Sequence, residues 1–182
     1  MTNIVQETLW SSALVNDHDN WIAKLSYAEY EAVSYYIEHG HKKINSTLRS
    51  NQVDDIIRAL DSALANNVNR TSGVFYRGCD YFSDDNQVGD IFSSRTFFST
   101  SANPFEAMKF AGDISPVLFR ITSKMGGQSI VSDKNEQEIL FPRNTEFVIT
   151  NIIRDTSLKL YYSETDYFVS YQNVTLVNMS QK

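Results

Sequence analysis

The chain has 182 residues, of which 42% are apolar and 21% charged, so it is long enough to bury a core and has the composition of an ordinary globular domain. A formal net charge of −6 removes any general attraction to phosphate backbones, and nucleic acid is not an expected partner. A single cysteine, Cys79, excludes an intramolecular disulfide and suits a reducing cytosol.

The N-terminal stretch MTNIVQETLWSSALVNDHDNW has neither the basic nor the long apolar region of a signal peptide, so none is expected. No apolar run approaches the ~18 residues of a membrane span, and no membrane association is expected. The segment from Trp10 to Leu25 reads as helical. In SYAEYEAVSYYIEHG, Ser26 and Glu29 make a capping box. Tyr27, Tyr30, Val33 and Ile37 then recur at helical spacing, and Gly40 is placed to end that helix. In NQVDDIIRALDSALANN, Asn51 is placed to cap a further helix, Asp54 and Asp55 suit its first turn, and Val53, Ile56, Leu60 and Leu64 give a buried stripe.

After Asn67 the pattern changes to strands. GVFYRG is short and ends in glycine, and VGDIFSSRTFFSTS follows a turn at Gly89. NPFEAMKFAG reads as a short helix with Asn103 as cap and Pro104 at its first position. PVLFRIT, GQSIVS, EQEILF, TEFVITNII, LKLYYS and DYFVSYQNVTLVNM read as strands separated by Gly, Asn, Asp and Ser. The picture is one domain, with a helical N-terminal part (1–66) packed on a strand-rich core (67–182).

Three short motifs carry chemistry. Arg77, at the end of an aromatic-flanked strand, offers a bidentate fork to phosphate, and Gly78 lets a ligand approach its backbone. Ser99, Thr100 and Ser101 give three hydroxyls in a row after Phe97 and Phe98, which alternate faces so that one can face a pocket. On a strand, Glu136 and Glu138 lie on one face, a like-charge pair that costs free energy unless something compensates. Taken singly, each motif also has a plain structural reading: a solvated arginine, a strand stop before a helix cap, a polar strand start. His18, His39 and His41 form no ligand spacing with Cys79 or a carboxylate cluster, so no metal is expected. Neither a GxGxxG nor a Walker loop is present.

Arg-Gly, then Phe-Phe-Ser-Thr-Ser and Asn-Pro, then Glu-x-Glu-Ile-Leu-Phe-Pro, in that order, resembles the cholera-toxin-like class of ADP-ribosyltransferases. VGDIFSSRTFFSTSANPFEAMKFAG and NEQEILFPRNTEFVI extend the resemblance from Val74 to Ile149. It is strongest to the arginine-specific mono-ADP-ribosyltransferases among bacterial exoenzyme toxins and phage-encoded enzymes.

The resemblance implies an α+β ADP-ribosyltransferase fold, with the helical part packed on a split, mixed β-sheet sandwich. It implies NAD as substrate, cleaved between nicotinamide and ribose, with ADP-ribose passed to an accessible arginine of a host protein. Glu138 would stabilise the cationic ribose and hold its 2′-hydroxyl, and Glu136 would orient the acceptor guanidinium and take its proton. Arg77 would meet phosphate, Gly78 the nicotinamide carboxamide, and Ser99 both Glu138 and the ribose. Thr100 and Ser101 would brace the strands beside the cofactor, and Phe98 would line its pocket. VSDKN matches the target-contacting segment of the family, and GDISP is a candidate for the loop that closes over nicotinamide. Two alternatives stay open: an enzyme that mainly hydrolyses NAD, and a binding domain that keeps the fold without chemistry. The expected setting is the cytoplasm of a host or target cell, as a phage-encoded or injected effector, and the expected state is a monomer.

Overall fold

The computed structural model describes residues 1–5, 11–67, 70–130, 137–162 and 166–182. The N-terminal part is helical: α1 (Ser11–Ile22), α2 (Tyr27–Tyr35), α3 (His41–Arg49) and α4 (Asp55–Ala65). The capping box of α2 is present in both directions, with Ser26 N donating to Glu29 Oε2 at 2.8 Å and Glu29 N donating to Ser26 Oγ at 3.4 Å.

Gly40 does not end the helix as expected. A π-helical segment, Tyr36–Gly40, joins α2 to α3 without a break. Gly40 is glycine for a packing reason, because a Cβ there would stand 2.4 Å from the ring of Tyr35. The buried face of α2 also differs from the expected stripe. Val33 is buried as expected, but Tyr27 and Tyr30 face water, and Ala32 and Tyr36 complete the buried face. The cap of α4 is Asp54, which accepts from Ile57 N at 2.9 Å, rather than Asn51. Asn51 has φ 57 and belongs to the C-terminal turn of α3, where asparagine tolerates the left-handed region. Val53 and Ile56 are exposed, and Ile57, Leu60, Ala63 and Leu64 form the buried face of α4.

The core is a sheet of β1 (Thr2–Val5), β2 (Thr71–Cys79), β3 (Ile91–Ser93), β4 (Phe98–Ser101), β5 (Val117–Ile130), β6 (Glu138–Phe141), β7 (Glu146–Tyr161) and β8 (Phe168–Gln181). Its order is β1-β7-β8-β5-β2-β4-β6, with β3 on β7. A short helix, α5 (Pro104–Met108), follows β4, capped by Asn103 as its sequence predicts. β5 pairs with β2 and β8 through its first part and with β6 through Gln128, Ser129 and Ile130. Because β2 pairs with β4 and β4 with β6, these strands close a circuit that splits the sheet into two arms. The strand turns at Gly126 (φ 75), where a Cβ would meet Thr71 O at 2.5 Å.

PVLFRIT and GQSIVS are therefore one strand, as are TEFVITNII and LKLYYS. Asp155 (φ 50) and Asn173 (φ 55) sit where the β7–β8 register shifts, so these turn-prone residues make bulges rather than ends. β1, parallel to β7, was not legible as a strand.

Three buried clusters hold the fold. The first lies within the sheet, around Phe75, Phe98, Phe119, Phe141 and Phe147. The second joins Trp21, Val33, Tyr36, Leu48, Leu60 and Leu64 of the helices to Phe97, Ile130 and Leu140 of the strands. The third packs Phe105 and Met108 of α5 on Tyr76, Leu118, Leu158 and Leu176. Polar bonds fix the helices to the sheet: Thr71 Oγ1 donates to Asp17 at 2.9 Å, and Arg143, in the β6–β7 turn, binds Asp61 of α4 at 2.8 Å. Among the described residues no helix is long and apolar enough to cross a membrane.

Candidate active site

Strand alternation puts Phe75, Arg77 and Cys79 on one face of β2, and Tyr76 and Gly78 on the other. On that second face α5 crosses so close that a Cβ at Gly78 would stand 2.0 Å from Ala107 O. The missing side chain of Gly78 is thus explained by the helix behind it. On the first face the Arg77 guanidinium lies 4.7 Å from the ring centre of Phe98, a cation–π contact. Arg77 Nη1 donates to Ser99 O at 2.6 Å.

Phe98 itself is enclosed in the sheet cluster with Phe92 and Phe147, and Phe97 is buried on the opposite side under the helices. Of the pair, Phe98 is the one that forms the floor beneath Arg77.

β4 and β6 run antiparallel with Ser101 opposite Glu138. Ser99 is then the diagonal neighbour of Glu138, within side-chain reach. Its Oγ donates to Glu138 Oε1 at 2.6 Å. Ser99 therefore holds the guanidinium by its carbonyl and the carboxylate by its hydroxyl. Thr100 Oγ1 donates to Ile139 O at 2.8 Å, tying β4 to β6, and Ser101 Oγ accepts from Asn103 N at 2.9 Å at the start of α5. Ile139 and Phe141 are fully buried in the sheet cluster, and Leu140 in the helical one, so Glu138 heads a strand anchored on both faces.

Glu136 and the segment VSDKN lie outside the described residues. β6 begins only at Glu138, and Gln137 before it has φ 44 with its carbonyl accepting from Ala102 N at 3.0 Å. The expectation that Glu136 shares a strand face with Glu138 lies outside the described residues.

The helical part supplies residues that the motifs did not reveal. Tyr36, on the π-helical segment, is buried beside Arg77 and Glu138. Burial pushes its hydroxyl above the ordinary phenol value and Glu138 adds to this, while Arg77 and Asn45 act the other way, so the phenol stays neutral. Asn45 Oδ1 is buried without a hydrogen-bond partner among the described residues. Burial lowers the pKa of Arg77; Cys79, Tyr36 and Glu138 oppose this, and the charge of Arg49 adds to it. Asn45 and Arg49 lie four apart on α3, flanking the buried Ile44 and Leu48. A polar pair at that spacing beside an apolar stripe was the available signal, and a π-helical segment is a frequent mark of a functional site.

The site thus places a fixed carboxylate, a half-desolvated guanidinium, a neutral phenol and an unsatisfied amide oxygen at one junction of helices and sheet. A carboxylate held this way stabilises a developing cation, and the guanidinium suits an anionic ligand. Among the described residues no group of three His, Cys, Asp or Glu could hold a metal ion.

A family model described as ADP-ribosyltransferase exoenzyme matches residues 9–167. Among solved structures, Vis, an ADP-ribosyltransferase toxin of Vibrio splendidus, is similar in its complex with agmatine: the TM-score is 0.68 at 25% identity, over 94% of this chain and 84% of that one. C2-I, the enzymatic component of the C2 toxin of Clostridium botulinum, gives a TM-score of 0.67 at 21% identity, over 95% of this chain and 47% of that one. BECa, an ADP-ribosylating toxin of C. perfringens solved with NADH, gives 0.63 at 20% identity, over 92% and 46%. No curated protein matches in sequence.

Proposed function

Because the chain belongs to the ADP-ribosyltransferase exoenzyme family, we propose that it cleaves NAD between nicotinamide and ribose and transfers ADP-ribose to an arginine side chain of a protein. The observation that carries this reading is the Arg77–Ser99–Glu138 chain of 2.6 Å bonds, set beneath Tyr36 and Asn45. The residues present suit NAD. Arg77 keeps donors beyond the one given to Ser99 and faces the diphosphate, and the unsatisfied Asn45 Oδ1 awaits a donor from the ligand. The backbone of Gly78 meets the nicotinamide carboxamide.

In this reading the bond from the anomeric carbon to the nicotinamide nitrogen breaks, and its electron pair leaves with neutral nicotinamide. Positive charge appears on the ribose, where the fixed carboxylate of Glu138 stabilises it most. A guanidino nitrogen of the acceptor forms the new bond and loses a proton. Arginine has a pKa above ~12, so the proton must leave during attack, and Glu136 takes it. The agmatine complex of Vis supports a guanidinium acceptor, and the NADH complex of BECa supports the dinucleotide.

The test uses labelled NAD with agmatine as acceptor. The wild-type chain releases nicotinamide and forms ADP-ribosyl-agmatine. Glu138→Gln releases no nicotinamide. Glu136→Gln continues to release nicotinamide but transfers little to agmatine. Transfer by Glu136→Gln at the wild-type rate overturns the role of Glu136, and release that ignores added acceptors supports NAD hydrolysis instead.

A further inference from the structure

Away from the catalytic junction, along the seam between helices and sheet, four stretches of chain enclose a cavity of about 260 Å³. They are the end of α3 (Leu48, Asn51), the connection to α4 (Gln52), the β3–β4 connection (Arg95) and the β6–β7 turn (Arg143, Asn144). The buried cluster of Tyr36, Leu48, Phe97 and Leu140 separates this cavity from the junction, with Tyr36 beside Glu138 and Leu48 in the cavity wall. β6 covers about 10 Å from Glu138 to Phe141 before the turn that holds Arg143. Pockets for drug-sized ligands measure ~300–1,000 Å³, so this one suits a smaller molecule than a dinucleotide.

The walls are polar and held. Two guanidiniums meet at one hollow in a chain of net charge −6. The carboxylate of Asp61 takes Arg143 Nε at 2.9 Å and Nη2 at 2.8 Å, and offsets that charge. Arg95 Nη1 donates to Asn51 Oδ1 at 2.9 Å. Among the described residues Arg95 takes part in no ion pair, so its charge is the uncompensated one at the cavity. A guanidinium has five N–H donors, and both arginines keep donors for a ligand. Asn51 and Asn144 are left-handed, with φ 57 and φ 62, a conformation that asparagine tolerates. Each is pinned: Asn51 N donates to Leu48 O at 3.0 Å, and Asn144 N to Ser94 O at 2.7 Å. The second bond ties the connection that carries Arg95 to the turn that carries Arg143. Donors on a held backbone lose little entropy on binding.

We propose that this cavity binds the phosphate group of a small molecule, at a site separate from the one given to NAD. The arrangement of donors selects the ligand. A carboxylate is planar, and a single guanidinium fork satisfies it. Here two guanidiniums stand on different walls, and the side-chain amides of Asn51, Gln52 and Asn144 complete the lining. A tetrahedral oxyanion points its oxygens in several directions and draws on donors from all of them. Leu48 gives the apolar wall against which the carbon of a phosphate ester lies.

The experiment titrates the full chain in a calorimeter, at fixed ionic strength, with inorganic phosphate, glycerol phosphate and acetate. The variants are Arg95→Ala and Arg95→Gln; Arg95 is exposed, and glutamine keeps a donor for Asn51. Melting curves without phosphate check that both fold. Wild type is expected to bind both phosphates with Kd about 1 mM and acetate at least tenfold more weakly. Both variants are expected to lose at least tenfold in phosphate affinity, with KM for NAD in nicotinamide release unchanged. Phosphate binding that survives in both variants, or acetate binding as tight as phosphate, overturns the site. A rise in KM for NAD that matches the loss of phosphate affinity also overturns it, because the cavity is then part of the NAD site. If the wild type releases no nicotinamide, the transferase reading fails by itself, and the phosphate titrations still decide this one.

Discussion

Ser99 does two jobs with two different atoms, and a substitution separates them. Ser99→Ala keeps the carbonyl that receives Arg77 and removes the hydroxyl that orients Glu138. A hydrogen bond to a charged group is worth about 1.5–3 kcal/mol, so nicotinamide release is expected to fall roughly 10–100-fold while the fold survives. Unchanged release by Ser99→Ala would show that Glu138 is positioned by something else. A second residue-scale outcome concerns acid. The hydrogen bond from Ser62 chiefly, and that from the Ser26 backbone next, lower the pKa of Glu29 from its ordinary value. A lowered carboxylate binds fewer protons folded than unfolded, so its stabilisation is full above the ordinary glutamate range and is lost as the pH falls through the lowered value. Glu29→Ala is expected to cost about 0.5–1 kcal/mol near neutrality, given its partial exposure, and nothing in strong acid. Urea midpoints for both proteins across pH check the convergence.

At the scale of elements, α5 and β2 meet at a glycine with no room to spare. Gly78→Ala puts a methyl against Ala107 O, and overpacking of this kind costs about 1–3 kcal/mol. Urea unfolding is expected to report that loss, and activity to fall with it because β2 carries Arg77. The same elements show what sequence reading could and could not reach. The capping box of α2 and the Asn103 cap and Pro104 start of α5 were legible because each depends on a few adjacent residues. The failures came where a neighbour decided. Gly40 looked like a helix stop and proved to be space for the Tyr35 ring. The stretch around Asp155 looked like a break between two strands and proved to be a bulge within one long paired strand. Arg77, Ser99 and Glu138, named from three short motifs in order, are brought into contact by the fold. Tyr36, Asn45 and Arg49 were missed because their spacing is that of any helix, and only the sheet beneath gives them meaning. The like-charge argument for Glu136 falls outside the described residues, and only Glu138 of that pair has a described place.

For the whole molecule, the helical part and the sheet share a core. Phe97, Ile130 and Leu140 are strand residues, yet their cover is Val33, Tyr36, Leu60 and Leu64. A chain beginning at Asn67 is therefore expected to remain unfolded and to bind a hydrophobic dye. The full chain is expected to melt in one calorimetric transition whose van't Hoff and calorimetric enthalpies agree. Two separate transitions would instead divide it at the α4–β2 connection. A last consequence comes from the place of β8. It lies between β7 and β5, parallel to the strand that carries both arms of the sheet, with Thr175 N bonded to Pro116 O. During synthesis, then, Arg77, Ser99 and Glu138 have all emerged before their shared scaffold can close. The nascent polypeptide is therefore expected to stay catalytically silent until residues 168–181 have emerged and paired with β5 and β7.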